Sequence, residues 1–343
     1  MIDVIIPARN EERDIGACLE SLAGTSMARL LRPVVVDNGS SDATAALARR
    51  HGAQVLAGHG SVGRARNLGI AAGRSPLVAF LDAHCQVARG WPGGLLARLE
   101  SSQAGAVGGP IEWRYLGASP PSTDELSWLR SPFAWLKTGN ALFRRQVLDE
   151  LRGFDESLPA CEDVELCWRA LLAGWPLALT DQDPVIHLDR RGRVGMLARF
   201  FRYGRGAARV GRRFGFGVGG GGFDPYALAY RLGAFWDRWS GPRVAVWQPL
   251  KRPPLPRTDL KPADDLACWY SQADTLWLAT RQRRLEVGRQ GALMWRCLTS
   301  SGDDAFEQLR ARLGLEPARL QHELERFVSE LVKEGFLQSL SGE

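Results

Sequence analysis

The sequence predicts an α/β protein: a mostly parallel, doubly wound sheet followed by a small α+β unit of winged-helix type. Three observations lead there. Short apolar runs alternate with helix-period segments up to about residue 110. Three of those runs stop directly on Pro7, Asp37 and Asp82. Beyond a glycine-, tryptophan- and proline-rich stretch, the chain changes to two short strand patterns and three amphipathic helices.

Strand patterns fall at Asp3–Ile6, Pro33–Val36, Ala53–Leu56, Leu77–Leu81 and Ala106–Pro110. Helical patterns lie between them at Glu12–Ala23, Ala43–His51 and Val62–Ala72, the second after capping residues in DNGSSD. Short apolar strands in such alternation imply a sheet covered on both faces, with ligands at the strands' carboxyl ends. Residues 111–193 are less regular. Helices are expected over Arg144–Leu151 and Glu162–Leu172 and a strand near Leu177–Thr180, with His187 soon after. In GMLARFFRYGRGAARVGRRFG, Arg199, Arg202, Arg205, Arg209 and Arg212 share one helical face. That stripe reads as a solvated face, a diphosphate clamp or a contact for acidic lipid headgroups. The glycine run within Phe214–Phe223 cannot pack much core, the stretch with Trp236, Trp239 and Trp247 reads as a helix docked back on the first unit, and QPLKRPPLPRTDLKP reads as a stiff linker. The organisation expected is therefore 1–213, a connecting segment 214–262, and 263–343. In the last unit, DTLWLAT and RRLEV are strand patterns and GRQGALMWRCL begins a helix. Phe306, Leu309 and Leu313 line a second helix, and Leu320, Leu324, Phe327 and Leu331 a third that Gly335 ends.

The chain has 343 residues, 45% hydrophobic and 24% charged, as expected of a protein with a real core. No apolar run is long enough to span a bilayer, and MIDVIIPARNEE lacks signal-peptide features. A cytoplasmic location is expected, with peripheral membrane contact left open. The six cysteines show no CxxC pair, so free buried thiols are expected, including Cys85 and Cys161 near the candidate sites. A net charge of +6 points only weakly to anionic ligands.

The stretch VAFLDAHCQV ends a buried strand on Asp82 and His84. An Asp there is an ordinary turn residue. Paired with a nearby imidazole it is also a candidate site for a divalent ion, because hard cations take one or two carboxylates plus phosphate oxygens. In the order IIPARNEERDI, VVVDNGSSDAT, GRARNLGI, FLDAH and EDVELCWRALLAGW, the sequence resembles the family 2 glycosyltransferases with the GT-A nucleotide-diphospho-sugar transferase fold. The resemblance covers about residues 1–210. It implies that Pro7, Ala8, Arg9 and Glu11 touch the nucleobase and ribose, that Asp37 pairs with the base, and that Arg66, with Arg64 close by, faces the nucleotide. It places Asp82 and His84 in the position of the family's DxD pair on the sugar-nucleotide diphosphate, His187 as a third ligand, and Glu162 and Asp163 as the acidic pair near the acceptor. Asp163 is then the base. His187 can equally be a core imidazole, and Asp163 a helix cap.

An imidazole ligand favours manganese, with magnesium possible. A UDP-linked donor is favoured as the commonest in such folds. In-line attack implies inversion. The DxH spacing also resembles that of retaining polypeptide N-acetylgalactosaminyltransferases, which leaves the stereochemistry open. No QxxRW-type motif follows the acidic pair, which argues against processive polysaccharide synthesis.

The LWLAT, GALMWRCL and ELERFVSELVKEGFL segments resemble PqqD-like domains, the recognition elements of ribosomal peptide maturation. The resemblance implies a leader peptide added as a strand and lying against the last helix, with Arg283, Arg284 and Lys333 as candidate readers of acidic residues. A DNA-binding winged helix is the alternative reading. The even mix of acids and bases in Glu316–Glu334 argues against it, so no nucleic acid is expected. The expected function is sugar transfer from a nucleotide-sugar to Ser, Thr or Cys of a ribosomally made precursor peptide. The alternatives are a lipid-linked or surface glycan acceptor, or a non-catalytic scaffold for maturation enzymes.

Overall fold

A computed structural model of the chain describes residues 1–118, 133–216, 225–240, 260–270, 275–280, 282–299 and 305–339. Trp247, most of the glycine run and nearly all of the proline-rich linker lie outside the described residues. The expected alternation is present as β1 (Ile2–Ala8), α1 (Ile15–Ala23), β2 (Leu31–Asp37), α2 (Thr44–Arg50), β3 (Gln54–Ala57), α3 (Val62–Ala72) and β4 (Leu77–Leu81). Next come β5 (Cys85–Val87), α4 (Gly93–Ser102), β6 (Ala106–Gly108), β7 (Ile111–Tyr115) and β8 (Asn140–Arg144). They lead into α5 (Arg145–Glu150), α6 (Glu162–Leu172), β9 (Leu177–Leu179), β10 (Val185–Asp189) and α7 (Arg193–Phe214). After α8 (Pro225–Ser240) the chain forms β11 (Leu260–Pro262), β12 (Ala267–Tyr270), β13 (Leu276–Ala279) and β14 (Arg284–Val287). It ends in α9 (Arg289–Thr299), α10 (Ala305–Leu313), α11 (Pro317–Lys333) and β15 (Leu337–Ser339).

Ten strands form one sheet in the order β14-β13-β12-β9-β6-β8-β4-β1-β2-β3. β1 pairs in parallel with β2 and β4, so Ala8 and Asp37 stand side by side in the sheet, and β4 ends at the same edge. β1 is apolar without alternation because it is covered twice: Val4 and Ile6 enter one core and Ile5 the other. The sheet is mixed rather than mostly parallel, because β8 enters antiparallel between β4 and β6. The fold is GT-A-like, an α/β architecture with an additional helix-and-strand region at the C-terminal end.

That C-terminal region is not set apart from the sheet. β12 pairs in parallel with β9, with Trp269 opposite Leu177, and β13 and β14 continue the sheet as an antiparallel meander. One apolar cluster runs from Leu19 on α1 to Leu320, Leu324 and Leu331 on α11, which bury the face expected from their spacing.

A separate sheet, β5-β10-β7, positions the site. β10 runs antiparallel to β5 with His187 opposite Cys85, and parallel to β7 with His187 opposite Trp113. This pairing brings a histidine more than 100 residues away in sequence next to the DAH turn.

The arginine stripe of α7 divides. Arg199 is buried and donates to Asp189 (2.6 Å), whereas Arg205, Arg209 and Arg212 converge on Asp237, a buried carboxylate of α8 (3.6, 2.8 and 2.8 Å). The two helices pack closely because Gly204 lies against the Tyr230 carbonyl and Gly233 against that of Phe201, where an added Cβ would sit 1.8 and 1.9 Å from the oxygens. The helix expected around Trp236 and Trp239 thus docks on α7, but through Tyr230, Gly233 and Asp237. Both tryptophans face outward. No described helix is long and apolar enough to cross a membrane.

Candidate active site

A cavity of about 400 Å³ opens at the carboxyl ends of β1 and β4, and residues from β7, β10, α6 and α7 complete its wall. Pro7, Ala8, Arg9, Glu11, Arg66, Asp82, His84, Glu162, Asp163 and His187 all line it. Asp37 and Arg64 do not. Asp37 accepts from the Ser40 N–H (3.2 Å), and its neighbour Asn38 takes the place in the wall. Arg64 is exposed, 3.9 Å from Glu156. It sits two residues before Arg66 on α3, and residues two apart on a helix point in different directions.

Asp82, His84 and His187 gather at the cavity floor, with one ligand atom of each within 4.8 Å of the others. The His84 and His187 Nε2 atoms face each other at 3.0 Å, and His187 Nε2 lies 3.5 Å from Asp82 Oδ2. On the far side of its ring, His84 Nδ1 meets Glu11 Oε1 at 3.1 Å. A proton held on Nδ1 by that carboxylate leaves the Nε2 lone pair directed into the cluster, the arrangement that orients metal-ligating imidazoles. Two bare ring nitrogens at 3.0 Å repel unless a proton or a cation lies between them. Two imidazoles and a carboxylate therefore fit a divalent ion. The His187 Nδ1 is buried without a hydrogen-bond partner, and its ring lies 3.9 Å from that of Trp113. Gly139 passes close to Asp82, where a Cβ would come within 3.2 Å of Oδ2.

Charge at this cluster is strongly biased. Burial would raise the Asp82 carboxyl, but a hydrogen bond from His187 and the charges of Arg66, His84 and His187 outweigh it and hold the group well below the usual carboxylate range. Burial also opposes the charged form of His84, and the Glu11 hydrogen bond with the Asp82 and Glu11 charges more than offsets it. His187 is pushed down, chiefly by burial.

On another wall, α6 begins with Glu162 and Asp163. Arg66, only 4% exposed, spans between walls: it donates to Glu162 and, at 3.3 Å, to Asp82. Its guanidinium also lies 5.5 Å from the Phe154 ring centroid. The sequence expectation of a nucleotide-facing arginine thus meets a side chain already engaged by two carboxylates. Asp163 has no such cation of its own. Burial and the Glu162 charge raise it to about 7, against the opposing pull of Arg66 and a 2.8 Å bond from the Val164 N–H. A carboxyl raised in this way is poised to exchange a proton near neutral pH.

Sequence reasoning missed Trp113, Lys137 and Tyr203, all of which line the cavity. Arg199 lies 4.9 Å and Lys137 5.8 Å from the Trp113 ring centroid. The only local signal was the aromatic alternation of IEWRY, which says nothing about where that strand pairs. Cys85 and Cys161 are buried thiols that form no disulfide. Burial pushes Cys85 well above the ordinary thiol range, as expected of an inert side chain.

The Glycosyl transferase family 2 model matches residues 3–152. A pre-mycofactocin glycosyltransferase of Mycobacterium tuberculosis is 29% identical over 230 residues, covering 62% of this chain and 48% of that protein, so the chain spans about half of that relative's length. The glycosyltransferase AglE of Haloferax volcanii is 29% identical over 61% of this chain and 73% of its own. An uncharacterized glycosyltransferase of Mycobacterium bovis is 30% identical over 52% of this chain and 83% of its own.

Proposed function

The chain belongs to the family 2 glycosyltransferases, and from that premise we propose that it moves a sugar from a nucleotide-sugar donor to a hydroxyl or thiol of a ribosomally made precursor peptide. The carrying observation is that one cavity holds both a group of side chains that could bind a divalent ion, Asp82, His84 and His187, and a carboxyl, Asp163, raised to about 7.

In this reading Asp82, His84 and His187 would hold the ion, and manganese is favoured because two of the three donors are imidazole nitrogens. Bound there, the ion would neutralise charge on the departing diphosphate. Glu11 orients His84. Arg66 neutralises Glu162, so that the proton-accepting role falls to Asp163. Asp163 removes the acceptor's proton as the acceptor atom bonds to the anomeric carbon. The bond from that carbon to the phosphate oxygen breaks, and the nucleoside diphosphate leaves with the electron pair. In-line attack inverts the centre. Pro7, Ala8, Arg9 and Asn38 form the nucleoside end of the same cavity, with uridine favoured.

We read residues 1–213 as the transferase unit, 214–262 as a connecting segment and 263–343 as a PqqD-like, winged-helix unit that binds a leader peptide. Support comes from the β12-β13-β14 meander with its three helices, in which β14 pairs on one side only among the described residues. An unpaired edge accepts a peptide strand through main-chain hydrogen bonds. Arg284 packs 3.9 Å from the Trp277 ring centroid, and Arg283 is paired with Glu334 at 2.8 Å. Of the three basic candidates, Lys333 is left as the one exposed on α11 with no ion pair to another described residue.

Incubating the protein with manganese, a panel of sugar nucleotides and a leader-bearing peptide with Ser, Thr and Cys in its core tests the reading by intact mass. A hexose or N-acetylhexosamine increment that disappears in Asp82→Ala is expected. Donor turnover in Asp82→Ala equal to the parent refutes the metal site. Equal peptide affinity after removal of 263–343 refutes the leader role.

A further inference from the structure

Helix α8 buries its one acid and turns a row of large apolar side chains outward. Asp237 is fully buried against Arg205, Arg209 and Arg212, Ala227 and Tyr230 pack into the core, and a second apolar face is turned to solvent. Leu228, Leu232, Phe235, Trp236 and Trp239 are five of the ten large hydrophobic residues exposed among the described residues. Phe235 is 67% and Trp239 85% exposed. Spacings of four, three, one and three place them on one face, directly opposite Asp237. The exposed charges on this helix, Arg231 and Arg238, lie along one flank of that face and are both positive.

We propose that this face is an interfacial helix that seats the protein on an anionic lipid bilayer. A helix lying in the headgroup plane needs Trp, Phe and Leu on one side, basic residues at its margin and no acid among them, and α8 has each of these. A protein partner would be matched by shape, with polar groups among the apolar ones. This face instead offers a continuous apolar ridge with cations beside it. The three-arginine clamp on Asp237 and the close contacts at Gly204 and Gly233 hold the helix so that the ridge stays outward. The location also matters. Tyr226 of α8 stacks on Phe200 of α7 at 5.2 Å, and the same turns of α7 supply Arg199, Arg202 and Tyr203 to the cavity wall. This proposal is independent of the acceptor's identity.

Flotation of the full chain with phosphatidylglycerol–phosphatidylcholine vesicles, and with phosphatidylcholine alone, tests it. The protein is expected to float with the anionic vesicles. In the double variant Phe235→Ser, Trp239→Ser the partition coefficient should fall roughly tenfold or more. Arg231→Glu, Arg238→Glu should remove the preference for anionic lipid. Both variants should keep the parent's melting temperature and donor hydrolysis, since none of the four residues touches the cavity. A parent that does not float overturns the proposal. So does undiminished flotation of the serine variant, which would leave only unspecific basic attraction. A dimer that the serine variant dissociates, without vesicle binding, would assign the face to a second copy and overturn it as well.

Discussion

Replacing Asp163 with Asn separates the two consequences of its environment. In the folded protein this carboxyl titrates near 7 instead of its ordinary 3.8 because it is buried beside Glu162. A carboxyl raised on folding binds its proton more tightly in the native state than in the unfolded chain. Stability is therefore lost as pH rises from about 4 to about 7, with each pKa unit equivalent to about 1.4 kcal/mol. Discounted for the part of the group that remains solvated, the penalty at pH 8 is on the order of 2–4 kcal/mol. Asn carries no charge, so Asp163→Asn should be more stable than the parent at pH 8 by that amount and nearly equal at pH 4. Denaturant unfolding at the two pH values measures this. Catalysis should move the opposite way. The parent's kcat/KM for transfer should rise with pH through an apparent pKa near 7, and the Asn variant should lose that limb together with about 10²–10⁴ in rate. A variant that retains more than a tenth of the rate, or a parent whose acid limb lies near 4, would refute the assignment of the base. No gain in stability at pH 8 would refute the electrostatic reasoning beneath it.

Other outcomes follow from the same geometry. Manganese should raise the melting temperature of the parent, by roughly 2.7 kcal/mol of added stability at a hundred times its dissociation constant, and not that of His187→Ala. Arg66→Met leaves Glu162 buried without its cation and should cost about 3–5 kcal/mol in chemical denaturation. Asp237→Ala strands three arginines of α7 and should destabilise the α7–α8 pair by about 3–5 kcal/mol, read as faster amide exchange across α8. If exchange in α8 is unchanged, the clamp does not hold that helix.

Features that depend on near neighbours could be read from the chain alone. β1 through β4, with the helices between them, were legible because period and capping are local properties. That Asp82, His84, Glu162 and Asp163 come to one cavity was legible because those residues sit at element ends. α11 was legible because Leu320, Leu324 and Leu331 recur at helical spacing. Features that depend on pairing between distant segments emerged only in the folded chain. His187 meets His84 because β10 pairs with β5, and Glu11 meets the other side of the same ring because β1 ends beside β4. Trp113 enters the wall through β7, β8 slips antiparallel into an otherwise parallel run, and β12 joins the C-terminal strands to β9. Arg64 and Arg66 look equivalent in sequence, yet one is in solvent and the other locked between two carboxylates. Likewise, the pattern of α8 announces an amphipathic helix but not which side turns inward. Three arginines from a neighbouring helix made the burial of Asp237 favourable, and the face with Leu228, Leu232, Phe235, Trp236 and Trp239 was left outward.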